Sequence, residues 1–372
     1  MKIGIDCRMY GPESTTGIGN YIKNLTSNLF LIDKKNDYIL FMKDPIFSSF
    51  SLPGKKVKKV KIDFPWYSFA EQTAFLKILL EHKLDLIHFP QFNIPIFYPK
   101  KFIVTIHDIT PKFFPGPNIK KSLVRRICYH KVFNSAVKKS KKIITVSNHT
   151  KNQIVKNFNT PKDKIKVIYL GIEEKFKLIS NKKQITDLMS EYGISKPFIF
   201  YVGVWRDHKN LPNLVEAFDI LKNHLNLDIQ MVLGGNPDDR YPEIIKAVEK
   251  SKNRNDIIMP GFISENELPI FYNAAELFVL PSFCEGFGLV AIESLACGTP
   301  VASSNTTSVP EIIQDSGIYF NPENPKDIAA AIKNILTDRE AYLSLKIRGM
   351  EHVKKYSWLN CAKKTLQVYQ SV

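Results

Sequence analysis

Residues 277–304 read LFVLPSFCEGFGLVAIESLACGTPVASS. The run LFVLPS is a short apolar strand, and a loop with two glycines follows it. From about Phe287 the segment has helical character, and it ends at Gly298, a residue typical of a helix C-cap. TPVASS is the next strand. A strand, a helix and a second strand in this order predict a βαβ unit with parallel strands.

The same alternation continues in both directions. Strands are predicted at MKIGID, YILFM, LIHF, FIVTIHD, KKIITVS and KIKVIY, and again at PFIFYVG, DIQMVLGG and DIIMPGF. The segment 170–184 between the two series is polar and irregular, which is typical of a linker. The sequence therefore predicts an α/β protein with two doubly wound, Rossmann-like domains at residues 1–175 and 176–355. Residues 356–372 are predicted to form an amphipathic helix that packs back on the N-terminal domain.

Composition narrows the class of protein. The 372 residues are 44% hydrophobic and 24% charged, which is typical of a globular protein. No apolar run approaches the ~18 residues of a membrane span, and the N-terminus lacks the apolar core of a secretory signal. The five cysteines are scattered and form no C-x-x-C pair, which argues against a disulfide framework or a structural zinc site and favours the cytoplasm.

The positive charge is concentrated in the first half of the chain. Residues 1–175 hold 31 Lys and Arg against 13 Asp and Glu, whereas residues 176–372 hold 21 against 23. This asymmetry indicates an anionic partner for the first half, such as nucleic acid, an anionic membrane surface or an anionic substrate. A solvated lysine-rich surface explains it equally well.

Charged residues and glycines follow two predicted strands of the second domain. Glycines allow a ligand close to the backbone, and the N-terminus of a helix attracts phosphate, so the loop before Gly288 suits a phosphate. Glu285 is placed to meet a reacting group there, and Glu293 to bind a hydroxyl pair such as that of a ribose. Arg206 and Lys209 follow another strand and suit a diphosphate. A capping glutamate, a surface glutamate and a surface cation pair are the plain alternatives.

The first domain offers weaker signals. Gly17 and Gly19 stand between the first strand and the first helix, in a glycine loop or a tight turn. His107 follows a strand, as a hydrogen-bonding or acid–base group or as a histidine in a turn. No zinc-protease, EF-hand or Walker A pattern occurs, so no metal or other cofactor is implied.

These segments resemble one family over nearly the whole chain. The E-x7-E motif from Glu285 to Glu293, with YVGVWRDHKNL and GFISENELPIFYNAAELFVLPS, is similar to the retaining glycosyltransferases of family 4 (glycosyl transferases group 1). DCRMYGPESTTGIGNY, AEQ, HFPQFNIP and TIHDITPKFFP resemble a subgroup associated with mannosyl transfer in bacterial surface polysaccharide synthesis. The resemblance implies the GT-B fold, in which two facing Rossmann-like domains border an interdomain cleft.

The resemblance also implies roles for single residues. Arg206, Lys209 and the amides around Phe287, Gly288 and Leu289 would hold the donor diphosphate, Glu293 the ribose and Ile263 the base. Glu285 would face the transferred sugar and His107 would contact it near the reaction centre. Gly17 and Gly19 would border donor and acceptor. Asn20 stands where an arginine is frequent in the family, so acceptor contacts there are not carried over.

The function expected is metal-independent, retaining transfer of a hexose, with mannose from GDP-mannose as first choice. The acceptor would be a glycan or a lipid-linked glycan in polysaccharide synthesis. The protein would be cytoplasmic or peripheral at the inner face of the plasma membrane, and nucleic acid is not expected as a partner. The alternatives are a UDP-sugar-dependent transferase and a non-catalytic protein that binds polyanions or membranes. A dinucleotide-dependent oxidoreductase fits poorly, because the loop GIGNYI lacks the third glycine of G-x-G-x-x-G.

Overall fold

A computed structural model describes residues 1–11, 17–64, 66, 68–117 and 122–372 of the chain. The chain divides into two compact units. Unit 1 comprises Met1–Gly171 and Ser357–Val372, and unit 2 comprises Ile172–Tyr356. The first transition between them lies within the segment 170–184, where the sequence predicts a linker. Residues 12–16, in which the predicted glycine loop begins, lie outside the described ranges.

Unit 1 is built on a seven-stranded parallel sheet with the strand order β3-β2-β1-β4-β5-β6-β7. Its strands are β1 Lys2–Asp6, β2 Asp37–Met42, β3 Val57–Lys61, β4 Leu86–Phe89, β5 Phe102–Ile106, β6 Lys142–Thr145 and β7 Ile165–Val167. Its helices are α1 Gly17–Ile32, α2 Ile46–Ser49, α3 Leu76–Glu81, preceded by a π-helical turn at Glu71–Phe75, α4 Thr110–Phe113, α5 Leu123–Lys139 and α6 Asn148–Phe158, together with α15 Trp358–Gln370 from the end of the chain.

The central strands of this sheet are buried on both faces. Every residue of β4 and β5 is buried, as expected for parallel strands covered by helices on both sides. Helix α1 buries Tyr21, Leu25 and Leu29, whose spacing of four residues places them on one face. The sequence did not predict β3, because three of its five residues are lysines.

Helix α15 is fixed to unit 1 by a buried chain of polar side chains. The Tyr369 hydroxyl lies 2.8 Å from Nδ1 of His88 on β4. Nε2 of His88 lies 2.8 Å from Oγ1 of Thr105 on β5, and Thr105 in turn contacts the Tyr21 hydroxyl at 3.1 Å. Because each of these buried groups has a partner, the chain joins two helices to two central strands without leaving His88 unsatisfied.

Unit 2 has a six-stranded parallel sheet with the strand order β10-β9-β8-β11-β12-β13. Its strands are β8 Phe198–Val202, β9 Gln230–Gly234, β10 Ile257–Gly261, β11 Leu277–Leu280, β12 Val301–Ser304 and β13 Gly317–Phe320. Its helices are α7 Lys182–Glu191, α8 Leu211–Leu225, α9 Pro242–Lys250, α10 Leu268–Ala274, α11 Leu289–Ala296, α12 Val309–Ile313, α13 Pro325–Thr337 and α14 Arg339–His352.

Gly203 and Gly235, which follow β8 and β9, allow the backbones of the two strand ends to approach closely. Gly235 has φ +114°, and a Cβ atom there would lie 2.1 Å from the carbonyl oxygen of Gly203. A side chain at residue 235 is therefore excluded, and the ends of β8 and β9 stay in contact. Across the described ranges, no helix combines the length and the apolar composition that crossing a membrane requires.

Candidate functional site

Two loops that carry predicted residues lie side by side in unit 2. The strand order reverses between β8 and β11, and ligands of doubly wound sheets bind beyond the carboxyl ends of the strands at such a point. Arg206 and Lys209 follow β8, and Glu285 and Gly288 follow β11. The fold thus brings together residues that are about eighty positions apart in the sequence.

Hydrogen bonds hold these two loops to each other. The backbone N–H of Phe283 donates to the carbonyl of His208 at 2.8 Å. Asn210 has a left-handed backbone with φ 58°, and its buried amide donates to the carbonyls of Pro281 at 3.0 Å and Pro322 at 2.7 Å. The position of Lys209 relative to Glu285 is therefore set by both backbone and side-chain bonds.

Glu285 is fixed by hydrogen bonds to its carboxylate and to its backbone. Its Oε1 accepts hydrogen bonds from Nζ of Lys209 and from the Ser282 hydroxyl, both at 2.7 Å. Its backbone N–H donates to Oγ1 of Thr307 at 3.0 Å, and its carbonyl accepts from the Ser308 hydroxyl at 2.9 Å. The side chains of Lys209 and Glu285 are 15% and 12% exposed, so this ion pair is largely shielded from solvent.

The carboxyl group of Glu285 is ionised in this environment. Burial opposes its ionisation, but the charge and hydrogen bond of Lys209 and the hydrogen bond of Ser282 outweigh that effect and lower its pKa. A carboxylate with a lowered pKa does not donate a proton at neutral pH. It can stabilise a developing positive charge or orient a hydroxyl group.

Helix α11 begins beside this ion pair. It starts at Leu289, two residues later than the sequence predicts, with Gly288 as its N-cap at φ +93°. Gly288 has no side chain that could cap the first turn. The N–H of Ala291 donates to the Gly288 carbonyl at 3.0 Å, so the N–H groups of Leu289 and Val290 are the ones that can meet a ligand. The ring of Phe287 is buried edge-on against Tyr356 at 5.7 Å between centroids, so this residue can offer a ligand only its backbone.

Glu293 occupies a different environment from Glu285. It is 5% exposed, and its Oε2 accepts a hydrogen bond from the Tyr272 hydroxyl at 3.1 Å. Burial raises its pKa to about 8, assisted by the charges of Glu173 and Glu265 and opposed by Tyr272 and Lys175. The E-x7-E motif therefore contains one ionised glutamate and one that holds a proton at neutral pH.

Arg206 is more exposed to solvent than Lys209. Its side chain is exposed. The pKa of Asp238 is lowered chiefly by its hydrogen bonds with Arg240 and to a lesser extent by the charge of Arg206. Arg206 therefore lies near the loop that follows β9.

Ile263 packs against the end of β9 rather than projecting into open space. It is 6% exposed, and a Cβ atom on Gly234 would lie 2.7 Å from its Cδ1. The neighbouring Phe262 is 53% exposed and presents its ring at the same edge of the sheet. The sequence did not single out Phe262, although PGFISE contains it.

The three predicted residues of unit 1 have distinct positions. Gly17 and Gly19 form the first turn of α1 and not a loop, and the Gly19 carbonyl accepts a bond from the Gly11 N–H at 3.3 Å. His107 follows β5, with Nε2 2.9 Å from the Pro90 carbonyl, so this nitrogen carries the proton and donates. Its ring lies edge-on to Tyr21 at 4.9 Å, and burial lowers its pKa, which keeps it neutral at pH 7.

Two family profiles match the chain. Residues 184–352 match "Glycosyl transferases group 1", and residues 44–176 match "Glycosyltransferase Family 4". O-antigen chain mannosyltransferase B of Escherichia coli is 29% identical over 300 residues, which cover 78% of this chain and 76% of that protein.

Solved structures share the fold over the full length. Sucrose-phosphate synthase from Thermosynechococcus elongatus superposes with a TM-score of 0.80 at 20% identity, covering 100% of this chain and 98% of that one. HepE of Anabaena, in complex with UDP and glucose, superposes with a TM-score of 0.77 at 16% identity and full coverage of both chains. At sequence identities of 20% and 16%, the structural similarity shows that this chain and these proteins share a fold.

Proposed function

The chain belongs to the glycosyl transferases group 1, glycosyltransferases of the GT-B fold, and we propose that it is a retaining enzyme that transfers mannose from GDP-mannose. The acceptor is a glycan or a lipid-linked glycan in polysaccharide synthesis. One observation carries the proposal: the Lys209–Glu285 ion pair lies next to the N-terminus of α11, at the point of unit 2 where the strand order reverses.

The donor diphosphate is the leaving group, and positive charge in the site has to stabilise the negative charge that develops on it. Lys209, Arg206 and the N–H groups at the start of α11 supply that charge without a metal ion, and they act most strongly where negative charge develops in the transition state. Gly288 leaves room for the phosphate because it has no side chain. Ile263 meets the base through its backbone, because its side chain packs on Gly234, and Glu293 forms hydrogen bonds with the ribose hydroxyls.

The transfer itself proceeds on one face of the sugar. The bond between the anomeric carbon and the phosphate oxygen breaks with its electron pair leaving on the phosphate, and the acceptor oxygen forms the new bond on the same face. The acceptor proton passes to the leaving phosphate. The ionised Glu285 stabilises the oxocarbenium-like transition state, and neutral His107 contacts the sugar. Gly17 and Gly19 border donor and acceptor.

Mannose as the donor sugar is supported by the similarity to O-antigen chain mannosyltransferase B. A UDP-sugar is the alternative, supported by the shared fold of HepE, which was solved with UDP and glucose. A panel of GDP-mannose, UDP-glucose and UDP-galactose with a mannose oligosaccharide decides between them. We expect transfer from GDP-mannose, with an α-linked product by NMR and the same rate in EDTA. Transfer from no nucleotide sugar would overturn the proposal.

The basic unit 1 faces an anionic membrane leaflet in this proposal, at the cytoplasmic side, where lipid-linked acceptors are found. The first turns of α5 support it: Leu123 and Val124 are 71% and 70% exposed, and exposed Arg125 and Arg126 follow them. Apolar side chains next to arginines are typical of helices that bind the membrane interface.

The lysine-rich segment at residues 53–62 contributes less than its composition indicates. Lys59 donates to the carbonyls of Phe47 and Phe50 at 2.6 and 2.8 Å, and Lys61 pairs with Asp44 at 2.5 Å. These lysines stabilise the neighbourhood of β3, so we assign the membrane contact to α5.

A further inference from the structure

A cluster of four buried polar side chains lies at the carboxyl ends of β1 and β4. These adjacent strands mark the point where the strand order of unit 1 reverses, as β8 and β11 do in unit 2. Asp6 ends β1 and Arg8 follows it, Asn93 lies in the loop after β4, and Glu71 begins the turn before α3. All four are at most 4% exposed, and we call them the Arg8 cluster.

The charged members of the cluster bind one another closely. The Arg8 guanidinium donates from Nε and Nη2 to Asp6 at 2.8 and 2.7 Å, and Nη2 lies 2.6 Å from Oε1 of Glu71. The guanidinium also lies 4.3 Å from the centre of the Phe75 ring. The amide nitrogen of Asn93 donates to both carboxylate oxygens of Glu71, at 2.6 and 2.7 Å.

Two atoms of the cluster have no hydrogen-bond partner within the described part of the chain. These are Nη1 of Arg8, a donor, and Oδ1 of Asn93, an acceptor, and both are buried. Arg8 and Asn93 both bind Oε1 of Glu71, so the two unpartnered atoms belong to neighbouring side chains. A buried donor and a buried acceptor without partners are costly, and native proteins retain them rarely and for a reason.

The net charge of the Arg8 cluster determines which kind of ligand group can bind there. The cluster has two carboxyl groups and one guanidinium, so its charge is not positive and a phosphate or carboxylate would gain no net attraction there. A hydroxyl group accepts one hydrogen bond and donates another, which matches one free donor and one free acceptor. Sugars present such groups at fixed positions.

We propose that Arg8 and Asn93 bind one uncharged hydroxyl group of the acceptor sugar. Nη1 of Arg8 donates to the oxygen of this hydroxyl group, and the hydroxyl group in turn donates its proton to Oδ1 of Asn93. Protein covers both atoms, so the side chains above them move when the acceptor binds. This inference rests on the proposed function, because it assigns the acceptor of that same reaction.

The experiment compares Arg8→Lys and Asn93→Ala with the wild type. Arg8→Lys keeps a cation next to Asp6 and Glu71 but removes Nη1. The probe acceptors are a mannose trisaccharide and its monodeoxy derivatives, each lacking one hydroxyl of the accepting residue. Tyr38→Phe is the matched control, since it removes a buried hydrogen bond of 2.6 Å to Asp33. Tyr38 lies near the amino end of β2, whereas the Arg8 cluster lies at the carboxyl ends of the strands.

We expect both variants to raise the KM for the trisaccharide about tenfold or more, with an unchanged affinity for GDP. For one deoxy derivative, wild type and variants should have the same raised KM, because the hydroxyl that Arg8 and Asn93 bind is missing. Tyr38→Phe should leave the KM unchanged.

An unchanged KM in the variants, or an equal loss with every derivative, would mean that the cluster only holds a water molecule or stabilises the fold, and would overturn the inference. If Arg8→Lys does not fold, Asn93→Ala and the deoxy series on the wild type decide it. A wild type that transfers no sugar overturns the proposed function and this inference with it. Transfer without discrimination among the derivatives overturns the inference alone.

Discussion

Nζ of Lys209 lies 2.7 Å from Oε1 of Glu285. The sequence assigns Lys209 to the donor diphosphate and Glu285 to the transferred sugar, yet in the structure the two side chains bind each other. The pair is largely buried, so each charge holds the other in place. Removing one partner would leave the other charge buried without compensation, which is destabilising. Binding of a diphosphate therefore has to share or replace the interaction between Lys209 and Glu285. The first two predictions test this competition.

Replacing Lys209 by alanine should weaken the binding of GDP by about tenfold or more, because a charge-assisted bond to phosphate is lost. Isothermal titration calorimetry measures this directly. The matched control is Lys196→Ala, since Lys196 pairs with Asp228 and Asp256 just before β8, at the opposite end of that strand. Equal affinities of Lys209→Ala and wild type for both GDP and UDP would contradict the assigned diphosphate site.

Glu285→Gln should separate binding from turnover. The neutral amide no longer competes for Lys209, so the affinity for GDP should stay the same or increase. The rate of sugar transfer should fall about 100-fold or more, because a fixed charge at the reacting sugar is lost. Binding by calorimetry and transfer by product analysis are both needed. A variant that transfers mannose at the wild-type rate would remove Glu285 from the reaction.

Glu293 makes stability depend on pH. Its pKa is about 8 when folded against an ordinary value of 4.5, so the folded protein binds more protons between these values. The contribution of Glu293 to wild-type stability therefore falls as the pH rises through this window, by about 1.4 kcal/mol per pH unit at most. Glu293→Gln does not titrate, so its stability relative to the wild type should rise from pH 5 to pH 8.

Urea unfolding at pH 5, 6.5 and 8 measures that difference. Glu249→Gln, at an exposed position of α9, is the control and should follow the wild type at each pH. A constant difference between Glu293→Gln and wild type would show that Glu293 is already ionised at pH 5.

Tyr369→Phe should destabilise unit 1. It removes the partner of Nδ1 of His88, a fully buried imidazole that burial keeps neutral by lowering its pKa to about 3. Leaving that nitrogen unpaired should cost about 1–3 kcal/mol of unfolding free energy. Chemical denaturation measures it, with the exposed Ser371→Ala of the same C-terminal segment as control. Equal stability of both variants would mean that His88 finds another partner.

Binding to membranes should depend on the tip of α5. Leu123→Asp together with Val124→Asp should abolish co-sedimentation with vesicles that contain anionic lipid, because charge replaces the side chains that enter the interface. Ile347→Asp is the control, an exposed apolar residue of α14 at 64% exposure. Equal sedimentation of the wild type with neutral and anionic vesicles would contradict the role of the basic residues.

The sequence predicts most of the strands that have an apolar pattern. β8 and β11 read as FIFYV and LFVL, and both occur where they were predicted. β3 reads VKKVK, which indicates a basic segment, because its place in the sheet depends on pairing with β2 and not on its own apolar pattern. No strand is predicted for β13 either, although it reads GIYF and forms the edge of the other sheet.

The sequence indicates single residues of the candidate site but not the contacts between them. Lys209 and Glu285 were both placed after strands of the second domain, yet their contact depends on β8 lying next to β11, which local patterns do not encode. Ser282, Thr307 and Ser308, which hold Glu285, carry no motif and were missed. For the Arg8 cluster, the one signal in the sequence is a charged pair, Asp6 and Arg8, directly after a buried strand.

The position of α15 sets an order of events during synthesis. Unit 1 receives its last helix only after all of unit 2 has been made. At typical rates of translation, the 185 residues of Ile172–Tyr356 take on the order of ten to forty seconds. Throughout that interval the nascent chain lacks α15, so His88 and the surface that α15 buries remain uncovered. Unit 1 is therefore exposed to chaperones and proteases longer than its place at the start of the chain would indicate.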